Sequence, residues 1–302
     1  MKMKAFESIV IVYGGIGDER SVSIKSGQCV ADSLKDKYPI KEVCLETDTL
    51  PDWIDKDRHI VFPVMHGAFG EDGQLQSLLE ERGINFVGSG SESSALCMDK
   101  FAAKKCAEKI NIETADYRLI EAGAVPLADA VIEKIGDTLV LKPNNSGSSC
   151  GVTFIKGRSS LGLALSKIET GSWLIERALN GRELTIGILG GRALEVVEII
   201  CERYDYNAKY NSKDTVYVSP ADIPEALVLN LKAQAEAIFK ECKCRDFARV
   251  DFILEGDKAY FLEINTIPGM TKTSLFPKSA APQAISFEAL TKTMLSASVE
   301  RF

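Results

Sequence analysis

Apolar residues along this chain gather into short runs, and the spacing within the runs changes from one to the next. Ile9–Tyr13 and Ile60–Met65 are continuous apolar stretches, as expected of strands buried on both faces. Between them, Ser21–Lys35 places Val22, Ile24, Val30 and Leu34 at helical intervals, and Gln74–Glu81 reads as a second helix. Alternation of this kind predicts βαβ units and a parallel sheet whose loops form a crevice at its carboxyl edge. After Gly88-Ser89-Gly90 the character shifts. A lysine-rich helix is predicted over Ala95–Glu108, then strands at Thr138–Lys142, Val152–Ile155 and Trp173–Glu176 around a glycine-serine loop. From Gly181 the pattern gives strands Glu183–Leu189 and Ala193–Ile200, a polar loop, helix Ala226–Cys242 and a hairpin turning at Glu255-Gly256-Asp257. No internal repeat or low-complexity tract interrupts this order. The expectation is an α/β chain in three units, 1–94, 95–180 and 181–302.

The hairpin carries the strongest chemical signal. Its first strand holds Arg249 and Asp251, two residues apart and therefore on one face; its second holds Glu263 and Asn265 in the same relation. Two carboxylates and an amide oxygen suit Mg²⁺, a hard cation that commonly bridges to substrate phosphates. The loop that follows, Pro268-Gly269-Met270-Thr271, can offer backbone N–H groups to an anion. The set reads as a nucleotide-and-metal site.

Three further blocks add to it. Tyr13-Gly14-Gly15-Ile16-Gly17-Asp18-Glu19-Arg20 joins a strand to a helix, a turn that points N–H groups at a small ligand. Arg20 stands where a dinucleotide fingerprint needs its third glycine, so a Rossmann dehydrogenase is disfavoured. Glu19 in this turn is placed to bind an ammonium, although an acidic pair at a helix start also serves the macrodipole. His66-Gly67-Ala68-Phe69-Gly70-Glu71-Asp72-Gly73 follows the second strand and should meet the first turn across the crevice. His66 is the functional candidate of the two histidines, and His59 is assigned to packing or surface. Glu71 and Asp72 read as simple helix N-terminal charges. Lys142 ends a buried strand before a small-residue loop, 143–151, and suits phosphate. No GxxxxGK[ST] pattern occurs, which excludes a P-loop.

Composition narrows the partners. The 302 residues are 45% hydrophobic and 26% charged with a net charge of −7, so a nucleic-acid footprint is not expected. Eight cysteines without a CxxC pair, alongside two histidines, argue against zinc and for reduced, mostly buried thiols in a cytoplasm. The apolar run at the N-terminus is too short for a signal peptide, and no stretch approaches a membrane span.

Taken in order, these blocks resemble the D-alanine–D-alanine ligase family of the ATP-grasp superfamily. The HGxxGEDGxxQ segment of that family matches His66–Gln76, and its MDK matches Met98-Asp99-Lys100. The resemblance spans essentially the whole chain. It implies an ATP-grasp fold: an N-terminal Rossmann-like domain with a parallel sheet, plus two α+β domains that sandwich ATP. It also implies ligation of two D-alanines through a D-alanyl phosphate, for peptidoglycan precursor synthesis, with two Mg²⁺ ions for which Mn²⁺ can substitute. By the same mapping Lys100 and Lys142 contact ATP phosphates, Glu176, Arg177 and Leu179 line the adenine pocket, and Glu183 holds the ribose. Glu19 binds the first D-alanine; His66, Gly269, Ser274 and Leu275 serve substrate. Ser148 bridges the closed site, and Lys209 and Tyr210 belong to an omega loop over it. Arg249 stabilises the tetrahedral intermediate, and Asp251, Glu263 and Asn265 hold the metal. A homodimer is a further expectation. Ser21 and Ser146 stand where the family often has acidic residues, which touches the lid's hydrogen bonds rather than the reaction. The rival readings are a ligase for another amino or hydroxy acid, and a nucleotide-binding regulator without catalysis. A pure binder has no need of Arg249.

Overall fold

The computed structural model describes residues 6–17, 19–147, 151–201 and 215–301. Three sheets follow one another along the chain. The first is parallel in the order β2-β1-β3-β4, from β1 (Ser8–Gly14), β2 (Ile40–Leu45), β3 (His59–Pro63) and β4 (Asn85–Phe86). Every residue of β1 is buried because helices cover both faces. Ile9, Ile11 and Tyr13 pack with Val30, Ala31 and Leu34 of α1 (Arg20–Leu34). Val10 and Val12, on the other face, meet Leu75 and Leu79 of α2 (Gln74–Glu81).

Glu71 and Asp72 do more than the sequence reading gave them. They precede α2 and brace the glycine loop, while Asp72 also serves the helix start as expected, its Oδ1 accepting from Gln74 N at 3.1 Å. Glu71 Oε2 accepts from Gly67 N at 2.7 Å, and Asp72 Oδ2 accepts from Phe69 N at 2.9 Å. Phe69 is held at φ 67, a left-handed conformation costly for a bulky residue, and the Asp72 bond helps fix it there. The single helix expected over Ala95–Glu108 is two, α3 (Ser91–Met98) and α4 (Lys100–Lys109). Asp99 between them leaves helical geometry and accepts from Ala102 N at 2.8 Å. A short acidic side chain competes well for such an N-cap, so it restarts the helix there.

The second sheet, β5-β8-β6-β7, is antiparallel and comprises β5 (Tyr117–Glu121), β6 (Thr138–Pro143), β7 (Thr153–Lys156) and β8 (Ser172–Arg177). Leu139, Leu141 and Ile175 point to a core shared with α5 (Ala128–Ile135) and α6 (Arg158–Leu165). Period-two alternation then turns Val140, Lys142 and Glu176 to the opposite face. The third sheet, β11-β10-β9-β12-β13, is built from β9 (Arg182–Leu189), β10 (Arg192–Ile200), β11 (Val216–Val218), β12 (Phe247–Glu255) and β13 (Lys258–Asn265). Residues of α4 and of α7 (Glu225–Glu241) share its main core, while α8 (Leu275–Ala280) packs against β9 and β10. The last helix, α9 (Phe287–Val299), returns to the first sheet. Its Leu290, Met294 and Leu295 join the core of Ile9, Ile11 and Leu34.

His59 is fully buried, with Asp55 N donating to its Nδ1 at 2.9 Å and Trp53 packed edge-on, which is the packing role expected of it. Of the described cysteines, Cys97, Cys242 and Cys244 are buried but Cys44 is exposed, because it sits on edge strand β2. Among the described residues no helix is long and apolar enough to cross a membrane.

Candidate functional site

Pairing of β12 with β13 sets Arg249 opposite Asn265 and Asp251 opposite Glu263, so all four predicted residues share one face. A bulge follows at once, since Phe252 pairs with Phe261 and Leu262 is left over. Arg249 grips Asp251 with both arms of its fork, Nε to Oδ1 at 3.0 Å and Nη2 to Oδ2 at 2.9 Å. Thr185 of the neighbouring β9 donates to Oδ1 at 2.5 Å, and Asn265 Nδ2 donates to Oδ2 at 3.1 Å. Four donors thus fix one carboxylate, and the Asn265 amide oxygen is left to face elsewhere. Glu263 lies 3.5 Å from the Lys100 ammonium, which also reaches the Ser146 carbonyl at 2.5 Å. Ser146 therefore contributes backbone, not a side-chain charge, to this corner.

One cavity runs between this face and the second sheet. Lys100, Lys142, Glu176, Arg177, Leu179, Glu183, Asp251 and Glu263 all line it, with Val140, Phe154, Ile253 and Leu262 as apolar walls. Every residue expected at the nucleotide is in this group, together with two of the three expected at the metal. The apolar walls were not singled out from sequence. They come from alternate positions on four strands, a pattern that looks like ordinary core until the sheets are set face to face.

At the closed end Glu176 is 4% exposed and clamped by two lysines. Lys142 Nζ bonds its Oε1, and Lys104 Nζ lies 3.0 Å from Oε2. Sequence reasoning missed Lys104 altogether. It is fully buried, donates to Thr114 Oγ1 at 2.6 Å and sits 5.5 Å from the Tyr117 ring centroid. In the sequence it is one lysine among several on a helix. Burial pushes the Lys104 pKa down, against the pull of Glu176. Burial alone would raise the Glu176 carboxyl, but the charges of Lys104 and Lys142 outweigh it and hold it at about 2.

That depression has a testable consequence. A carboxylate whose folded pKa is below its unfolded value of 4.5 contributes stability that is complete above that value and lost as pH falls towards about 2. Unfolding free energy should therefore decline more steeply between pH 4.5 and 2 in the wild type than in Glu176→Gln. Parallel acid limbs in denaturant titrations of the two would contradict the ion-pair account.

A second group of residues lies where the first sheet's loops meet the rest of the chain. Glu19 is buried, and its Oε2 would lie 2.7 Å from a Cβ at Gly67 and 3.0 Å from one at Gly147. Gly67 also has φ +77, so a side chain there would be strained by conformation and would push the Glu19 carboxylate aside. The first glycine turn, the histidine loop and the serine loop thus converge on one carboxylate. His66 sits nearby with both ring nitrogens engaged: Nδ1 at 3.0 Å from the Ile267 carbonyl and Nε2 at 3.2 Å from Ser26 Oγ. A carbonyl can only accept, so Nδ1 carries a hydrogen. Burial opposes its charge, yet Glu71, Glu19 and the Ile267 carbonyl together raise the pKa of His66. Ser26 Oγ also accepts from Met270 N at 3.2 Å, which ties the loop after β13 to α1. In that loop Gly269 abuts Ser274, whose Oγ takes the Thr271 N–H at 3.1 Å. Leu275 is buried against Val197 and Ile199. Ser148, Lys209 and Tyr210 lie outside the described residues.

The donor set can be weighed against Mg²⁺ on its chemistry. Asp251, Glu263 and Asn265 would offer hard oxygens only, Asp251 by giving up one of the four donors that hold it, and the remaining coordination positions would fall to phosphate oxygens and water, the arrangement this ion favours. The residues fit.

Comparison with known proteins gives a concordant picture. A family model described as D-ala D-ala ligase C-terminus matches residues 107–296, and one described as D-ala D-ala ligase N-terminus matches residues 46–89. The chain is 37% identical over 296 residues to a D-alanine--D-alanine ligase of Anaeromyxobacter sp. (strain K), covering 95% of each. It is 38% identical over 299 residues to one from Geobacter sulfurreducens, covering 95% of this chain and 92% of the relative. Among solved structures, the Bacillus anthracis D-alanine--D-alanine ligase complexed with ATP superposes with a TM-score of 0.83 at 30% identity, over 97% of both chains. The VanG D-Ala:D-Ser ligase from Enterococcus faecalis gives 0.86 at 26% identity, over 97% of this chain and all 100% of that one.

Proposed function

We infer that this chain, which belongs to the D-alanine–D-alanine ligase family, joins two D-alanines to D-alanyl-D-alanine for peptidoglycan precursor synthesis, converting ATP to ADP and phosphate. The observation that carries this reading is one cavity that gathers three cations, four carboxylates and apolar walls between two sheets. The units 1–94, 95–180 and 181–302 are proposed as its domains, since each sheet falls within one of them.

The chemistry follows from what a carboxylate lacks. It is a poor acyl donor because its leaving group would be an oxide, whereas an acyl phosphate expels phosphate readily. In the proposed reaction Glu19 holds the ammonium of the first D-alanine, and its carboxylate attacks the γ-phosphorus of ATP. Lys100 and Lys142 carry the phosphate charge, Glu176, Arg177 and Leu179 form the adenine pocket, and Glu183 receives the ribose. The amine of the second D-alanine, held by His66, Gly269, Ser274 and Leu275, then attacks the acyl carbon. Arg249 and the Gly269 N–H stabilise the oxyanion, and collapse of that centre releases phosphate. Asp251, Glu263 and Asn265 would hold Mg²⁺, two ions in our reading with Mn²⁺ able to substitute, which neutralises phosphoryl charge when bound. Ser148, Lys209 and Tyr210 are proposed to complete the closed site. We place the enzyme in the cytoplasm and expect a homodimer.

The purified protein with ATP, Mg²⁺ and D-alanine should release ADP and dipeptide in equal amounts, and L-alanine should give none. The lid tyrosine also sets an expectation about product. A tyrosine phenol ordinarily titrates near 10, so in the proposed place of Tyr210 it would not oppose entry of an ammonium, whereas a cation about 4 Å away would repel it by roughly 1 kcal/mol in water and more in a drier site. D-alanine should therefore outcompete D-lactate strongly in an equimolar mixture. A mainly ester product, or a preference for D-serine, would overturn the assignment of the second substrate.

A further inference from the structure

The buried end of the nucleotide cavity holds two ammoniums and one carboxylate. Lys104, Lys142 and Glu176 are 0%, 9% and 4% exposed, so water screens little of their interaction. Glu176 spends one oxygen on each lysine: Oε1 on Lys142, and Oε2 on Lys104 at 3.0 Å. Among the described residues Oε2 has this charge partner but no aligned hydrogen-bond donor. Lys104 does not line the cavity, while Lys142 and Glu176 both do. It is instead anchored from behind, with Nζ 2.6 Å from Thr114 Oγ1 and 3.4 Å from the Phe261 carbonyl.

We propose that Lys104 is a positioning residue for the nucleotide: by occupying half of Glu176 it leaves Lys142 with charge to spend on the phosphate chain. This role comes down to charge and rests on the nucleotide reading of the cavity. With Lys104 present, the buried trio carries one net positive charge, and it lies where a polyanion is to bind. Without Lys104, Glu176 and Lys142 form a neutral one-to-one pair. Lys142 is then drawn onto both carboxylate oxygens, and a phosphate that approaches must compete with a buried carboxylate for it. A buried pair of this kind is hard to break, because each separated partner would lose its only compensation. Lys104 touches no ligand in this account; it acts through Glu176 on Lys142.

The claim differs from a packing role in what it does to ligands with and without phosphate. Calorimetric titration of the whole enzyme near pH 7 would compare ADP with adenosine for the wild type, Lys104→Met, Lys104→Arg and the double variant Lys104→Met/Glu176→Gln. Lys104→Met should weaken ADP by at least about tenfold and leave adenosine within about twofold. The double variant, which removes one charge of each sign, should restore most of the preference for ADP over adenosine, and Lys104→Arg should retain it. Equal loss of ADP and adenosine in Lys104→Met, or no recovery of that preference in the double variant, would overturn the proposal. Should Lys104→Met fail to fold, as its thermal melt would reveal, Lys104→Arg and the double variant still decide: a lost preference for ADP over adenosine in both refutes it. A wild type that binds no ADP would instead refute the nucleotide reading itself, whatever the variants do.

Discussion

Arg249→Met is expected to lower kcat by roughly 10²–10³-fold, the usual loss when one donor to a developing oxyanion is removed. Adenine-nucleotide affinity should change little, because the residues proposed for base and phosphate, Lys100, Lys142, Glu176, Arg177, Leu179 and Glu183, lie outside β12. Both arms of its guanidinium are fixed on Asp251, at 3.0 and 2.9 Å, so in the proposed role it would need no reorganisation when charge appears on the substrate. Lysine should not rescue it. An ammonium cannot reproduce the planar two-armed grip, and an Arg-to-Lys exchange at such a site is not conservative. Steady-state rates at saturating substrates, set beside ADP titrations, check both halves. A kcat within about threefold of the wild type would remove Arg249 from the chemistry.

Glu263→Gln should be nearly as damaging by a different route. The change keeps the size of the side chain but removes one of two carboxylates on the face proposed to hold the metal. Turnover should fall on the order of a hundredfold or more, since phosphoryl charge loses a large part of its compensation. ADP binding without metal should weaken only in part, because Lys100 and Lys142 remain. The Lys100 ammonium, 3.5 Å from Glu263, loses a counter-charge in the variant, and this partly offsets the loss at the phosphates. Chelating the divalent ion from the wild type should bring its rate down to the level of the variant. Near-normal turnover of Glu263→Gln at saturating Mg²⁺ would show that this glutamate is not a metal ligand.

What could be read from the chain before folding depended on how each element is buried. Strands β1, β6 and β9 are apolar on both faces or alternate, and the sequence pattern located each to within a residue or two. β2 was missed because Ile40–Leu45 mixes lysine and glutamate with its apolar residues, as an edge strand can. The break at Asp99 was hidden because the residues on both sides favour helix, and only the cap geometry separates them. Hairpin chemistry was the most legible part. A two-residue spacing on each strand is enough to align Arg249 with Asp251 and Glu263 with Asn265, whatever the rest of the fold does. Lys104 was the least legible. A lysine on an amphipathic helix is ordinarily solvated, and nothing local betrays that Glu176, far along the chain, will bury it.

The return of α9 to the first sheet has a consequence for how the chain is made. Leu290, Met294 and Leu295 complete a core that begins at Ile9, and Ser298 Oγ donates to the Phe86 carbonyl at 2.8 Å. About 200 residues separate the end of β4 from the start of α9. At a synthesis rate of roughly 5–20 residues per second the first four strands and α1 would leave the ribosome some 10–40 s before α9. For that interval the apolar surface that α9 covers, beside Leu34 of α1 and Ile9, is open to water and to other chains. A ribosome-bound intermediate ending before Phe287 should therefore be a preferred client of hydrophobic-binding chaperones and should lose that affinity once α9 emerges.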